Sequence, residues 1–251
     1  MSLLTVERIK LFSTRSPYWC LGAILAVSLA FGLLIGLVEN GSQAIPFFAL
    51  RGVGLGQSIF TVMAALAVTT EYRFSTLRST FLAVPKRTNV LLAKTLLLAG
   101  LGAVVGLVCA FGAFFLTKLL AKEPPMPLEL SGSVWREVAG FGALFAIAAV
   151  IAVAVGTLLR QSAGAIALLL LWPLLVEGLF TLIPKVGPKV GPWLPFAAGE
   201  QFVTPTSNVA GVQDFLSENS GPTPVQGLLV FLATGVLLWL IAAFVLSKRD
   251  A

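Results

Sequence analysis

Long apolar runs broken by short polar stretches set the pattern of this chain. Tyr18 to Val38 carries no charged residue, and an apolar helix of about 20 residues is enough to cross a bilayer's hydrocarbon. Five further runs follow: Gly52 to Thr70, Thr95 to Thr117, Val138 to Leu159, Ala163 to Ile183 and Val225 to Leu246. Together they predict an all-α membrane protein with six transmembrane helices in a single transmembrane domain, residues 1–251. The first run exceeds the 7–15 apolar residues usual for a signal peptide, so it reads as an anchor, although Ser28-Leu29-Ala30 mimics a cleavage site.

The polar stretches add detail. Only Arg160 and Gln161 separate the fourth and fifth runs. A tight hairpin is predicted there, with no room for a catalytic loop. The stretch from Pro184 to Pro224 is rich in proline and carries Trp193, Phe196, Phe202 and Phe215, aromatics suited to a membrane interface. Short interfacial or re-entrant helices are predicted, the alternative being an outer loop. Before the first run, Leu4, Ile9, Leu11 and Phe12 alternate with Glu7, Arg8, Lys10 and Arg15. This pattern fits an amphipathic N-terminal helix on the membrane surface, against a frayed basic tail.

Charge sets the expected orientation. Of the 17 Lys and Arg residues, eleven fall on one side, among them Arg8, Lys10, Arg73, Lys86, Lys94, Arg160 and Lys248. Arg51, Lys118, Lys122, Arg136, Lys185 and Lys189 fall on the other. The excess of positive charge predicts both termini in the cytoplasm. The net charge of +6 lies beside apolar spans rather than on a groove-reading face, so no nucleic-acid partner is expected.

Reactive chemistry is sparse. The chain has no histidine, which removes the commonest general base and zinc ligand. Cys20 and Cys109 fall at different depths, so no disulfide is predicted. No phosphate-binding cradle precedes Lys94-Thr95, and Leu130-Ser131-Gly132-Ser133 only faintly echoes an ABC signature on the predicted outer side. No catalytic residue, metal or cofactor is expected in this chain. Gly32 and Gly36, Gly52 and Gly56, and Gly102 and Gly106 are small residues four apart that let helices approach, serving packing within one subunit rather than dimerisation. Glu177 interrupts the fifth run, and an ionisable group in hydrocarbon is costly unless paired, hydrated or protonated. An intramembrane ion pair with Arg51 and a place on a substrate pathway are both open.

The polar loop from Glu71 to Lys94 carries the most information. Phe74, Leu77 and Phe81 stand at helical spacing, Ser75 or Thr76 can cap a helix start, and Pro85 disfavours helix at Val84. Two readings stand: a basic hairpin packed on lipid, or a docking helix. Glu71, Thr76, Leu77, Leu82, Pro85, Arg87 and Lys94 resemble the first cytoplasmic loop of permease subunits of type-2 ABC exporters; Ser75 departs from the frequent glycine. The six-span layout, the amphipathic amino terminus and the broken outer segment extend the resemblance along the chain.

The resemblance implies a short cytoplasmic coupling helix between spans two and three. It implies docking on an ABC ATP-binding subunit, two copies of which bind ATP and Mg, beside a second permease copy or related permease among membrane lipids. Phe74, Leu77 and Phe81 would supply the apolar docking face and Glu71, Arg73 and Arg78 its charges. The implied function is export of a lipophilic or amphipathic substrate across the cytoplasmic membrane. The competing classes are the six-span substrate-binding subunit of an energy-coupling-factor importer, which leaves the Glu71 to Lys94 match unexplained, and an integral membrane enzyme, for which the spans offer few reactive groups.

Overall fold

The computed structural model describes residues 3–38, 46–74, 76, 86–121, 133–205 and 221–248. Among the described residues every regular element is helical. Helix α1 (Leu3–Phe12) precedes the first span, α2 (Ser16–Val38). A short α3 (Pro46–Ala49) leads into α4 (Arg51–Arg73), and α5 (Arg87–Leu120) and α6 (Ser133–Leu159) follow. The fifth span, α7, runs Ser162–Thr181. Beyond it come α8 (Gly187–Val190), a 3-10 turn at Gly191–Trp193, α9 (Pro195–Val203) and the last span α10 (Pro224–Lys248). Six of these helices are long and apolar enough to cross a membrane, so the chain is a multi-pass membrane protein.

The six apolar runs coincide with the six spans, but most helices overrun them. The largest difference is in α5, which starts at Arg87 rather than Thr95. Hydropathy marks the hydrocarbon slab, whereas backbone hydrogen bonding continues past it. Lys94 therefore sits two turns inside a helix.

The bundle is built around α6. It packs against α4, α5, α9 and α10, and the core it organises includes Phe60, Phe114, Phe141, Phe145 and Phe231. Close approach depends on glycine: a Cβ on Gly106 of α5 would lie 2.6 Å from the Phe141 carbonyl oxygen of α6. Where α2 meets α5, the Thr117 hydroxyl donates at 2.9 Å to the Gly32 carbonyl. All three glycine pairs face neighbouring helices of the same chain. Across the bundle, Trp239 Nε1 of α10 donates to Thr95 Oγ1 of α5 at 2.9 Å.

Two local departures from regular helix shape the ends of the bundle. Arg160, at the turn between α6 and α7, has φ 54°, the left-handed geometry that closes the predicted tight hairpin. Within α7, Pro173 has no N–H to donate back along the helix, and the backbone opens into a π turn over Trp172–Val176.

Candidate functional site

Two constellations of polar groups lie at opposite ends of the bundle. The first is at the α1 end. Glu71 stands in the last turns of α4 and Lys94 in the early turns of α5, so the two ends of the polar loop emerge side by side. Lys94 Nζ lies 3.0 Å from Glu71 Oε1 and 2.5 Å from Glu7 Oε2 of α1. Lys10 joins the group, 2.9 Å from Glu7 Oε1 and 3.4 Å from Glu71 Oε1. Glu7, Glu71 and Lys94 are all buried. Two carboxylates and two ammonium groups thus balance one another in a quartet joining three helices. Burial alone would push the Glu7 carboxyl up, but Lys94 and Lys10 outweigh it and hold it below its ordinary value. Burial would likewise lower Lys10, yet Glu7 and Glu71 raise it.

Glu71, expected as a docking charge, is buried and paired with Lys94 and Lys10; an isolated buried carboxylate is costly and a paired one is tolerated. Helix α1 turns Glu7 toward the bundle and leaves Leu4 and Ile9 exposed. It is held by its charges and by Leu11, which packs against the core. A cavity of about 460 Å³ lies beside the quartet, bordered also by Thr70, Phe74 and Thr76.

Of the other expected docking residues, Phe74 is 68% exposed, with the Arg73 guanidinium 5.6 Å from its ring centroid. Thr76 is exposed and Arg87 is half-buried at the start of α5. Leu77, Arg78, Phe81, Leu82 and Pro85 lie outside the described residues. Nearby, the α6–α7 turn is fastened to α4: the Arg160 guanidinium lies 5.1 Å from the Tyr72 ring centroid, and Ser162 Oγ donates to Thr69 Oγ1 at 2.9 Å.

The second constellation is at the far end. Glu177, in α7 just past the π turn, is buried. Its carboxylate accepts hydrogen bonds from the backbone N–H groups of Phe196 (3.1 Å) and Ala197 (2.7 Å) and from Trp172 Nε1 (3.1 Å). Phe196 and Ala197 lie in the first turn of α9, whose N-cap residue Leu194 offers no side-chain acceptor. Glu177 therefore caps a helix from outside it, where unsatisfied N–H groups and the helix dipole favour an anion. The expected pairing of Glu177 with Arg51 is not formed, since these three donors already satisfy the carboxylate. Arg51 instead acts on Glu200 of α9.

Arg51 and Glu200 line a cavity of about 340 Å³ bordered by α4, α6, α7, α9 and α10. Glu200 borders this cavity and is exposed. Desolvation by its neighbours raises its pKa, and the Arg51 guanidinium pulls the other way. Sequence reasoning singled out Arg51 and missed Glu200, which falls in a stretch read for its prolines and aromatics.

Among the described residues no cluster of metal-ligating side chains occurs. Comparison with family models, with curated proteins and with solved structures gives no match.

Proposed function

We propose that the chain is the membrane-spanning permease subunit of a type-2 ABC exporter in the cytoplasmic membrane. It works beside a second permease copy or related permease, and ATP is hydrolysed by two copies of a separate subunit. The observation that carries this reading is the buried linkage Glu7–Lys94–Glu71 at the base of the polar loop. A loop that receives a push must pass it on. With Glu71 and Lys94 tied together, a displacement applied between them enters α4 and α5 as a pair, and through Glu7 it also enters α1. A loop serving only as a connector has no need of charged groups buried at its root.

The Glu71 to Lys94 resemblance supports the same reading, with Phe74, Leu77 and Phe81 as the docking face. In this reading the α1 end is cytoplasmic, and the outward Leu4 and Ile9 rest on lipid. The chain itself performs no catalysis.

The test is paired replacement of Leu77 and Phe81 by Asp. Expected is loss of a co-purifying ATP-hydrolysing subunit and of transport. Unchanged co-purification together with unchanged stimulation of ATP hydrolysis would overturn the reading.

A further inference from the structure

The far-end cavity has a chemistry that packing does not require. Its wall carries a cation and an anion, Arg51 and Glu200, acting on each other. Deeper along α4, Gln57 and Ser58 also face it. Gln57 lies six residues past Arg51, roughly 9 Å along a helix axis. Among the described residues neither the Gln57 amide nor the Ser58 hydroxyl makes a side-chain hydrogen bond. Polar groups inside a span are expensive to leave unsatisfied. Phe141, Leu144 and Phe231 form an apolar floor. Leu55 and Leu174 border the cavity while being 49% and 68% exposed, so the cavity meets the outer surface of the bundle between α4 and α7.

We propose that this cavity binds the head group of a zwitterionic phospholipid, with the phosphate toward Arg51, the ammonium toward Glu200 and the acyl chain leaving between α4 and α7. A guanidinium has five N–H donors and can serve Glu200 and a phosphate together. Gln57 and Ser58 supply donors and acceptors for the ester region. The volume is at the small end for ligand sites; it accommodates a head group while the chains stay in the bilayer. An uncharged head would leave the two charges to each other, and an anionic one would meet Glu200. Binding of this kind needs no ATP-hydrolysing partner, so it stands or falls separately from the exporter reading.

The full chain is placed in nanodiscs of phosphatidylglycerol holding a trace of lysophosphatidylcholine with a diazirine near its head, and photo-adducts are mapped by peptide mass. Expected are adducts within 54–58, 169–174 and 196–204, competed by unlabelled lysophosphatidylcholine and not by monoacylglycerol. Glu200→Gln removes the ammonium partner. Gly54→Phe fills the cavity from a position where an added Cβ meets nothing within 4 Å. Each lowers adduct yield by about tenfold, while Gly22→Phe, equally open but elsewhere, leaves it unchanged. Equal competition by monoacylglycerol, undiminished labelling of Gly54→Phe, or adducts spread over all lipid-facing leucines would overturn the proposal.

Discussion

Lys94 Nζ lies 2.5 Å from Glu7 Oε2 and 3.0 Å from Glu71 Oε1, so one ammonium holds carboxylates from two other helices. Taking four charges out of water is unfavourable, and mutual pairing only offsets that cost. Such a cluster therefore specifies position more than it adds stability. What it specifies is that α1, the end of α4 and the start of α5 stay in register.

Removing the hub is far worse than removing the cluster. Lys94→Met leaves Glu7 and Glu71 buried without their main partner, and breaking a buried pair costs about 3–5 kcal/mol. The expected outcome is a marked fall in the unfolding temperature of the solubilised chain, with tryptic cleavage at Arg8 and Arg15 appearing first. Lys94→Met combined with Glu7→Gln and Glu71→Gln recovers most of the loss. A single Lys94→Met variant as stable as the parent would contradict the quartet.

The same cluster sets a pH window for α1. The Glu7 carboxyl is held below its ordinary 4.5, so its contribution is complete above that value and is lost as pH falls through the lower folded-state value. The Lys10 ammonium is raised above its ordinary 10.5, so its contribution is complete below that value and is lost as pH rises through the higher one. Helix α1 should stay docked between, loosening only below 4.5 and above 10.5. A nitroxide on Leu4→Cys in a Cys20→Ser background reports this as a gain in mobility. With Glu7→Gln the acid transition should disappear.

The spans were legible because hydropathy and length are local properties, and every apolar run became a helix. Partnerships between distant residues were not. Glu71 reads locally as one more charge in a basic loop, and only the folded chain puts Lys94 and Glu7 beside it. Amphipathicity predicted α1, but the pattern alone did not say which face turns inward. Glu177 was legible as an intramembrane acid needing a partner. Beside the Trp172 indole, its partners are two backbone N–H groups, which leave no trace in side-chain identity; the nearest signal for them is Pro195, a residue favoured at the first helical position.

Glu177 should behave as a cap. Glu177→Leu leaves the first turn of α9 and the Trp172 indole without acceptors, and loss of a cap costs about 0.5–2 kcal/mol. Glu177→Gln keeps one acceptor oxygen and should fall between Leu and the parent. Unfolding temperature gives the order, and hydrogen exchange at Phe196 and Ala197 localises it. Equal exchange at those two amides in all three proteins would exclude capping.

Close packing of α5 on α6 yields the sharpest contrast within one helix. Gly106→Ala puts a methyl 2.6 Å from the Phe141 carbonyl oxygen, whereas the same change at Gly100 meets nothing within 4 Å. Backbone cannot rotate aside as a flexible side chain can, so the two helices must separate, at about 1–3 kcal/mol. Gly100→Ala should instead be neutral or gain up to about 1 kcal/mol from helix propensity. Both variants add one methyl to the same span, so hydrophobicity cancels and the difference in unfolding temperature reports the interhelical distance alone. Equal stability of the two would mean that α5 and α6 do not approach as closely as the Gly106 contact requires.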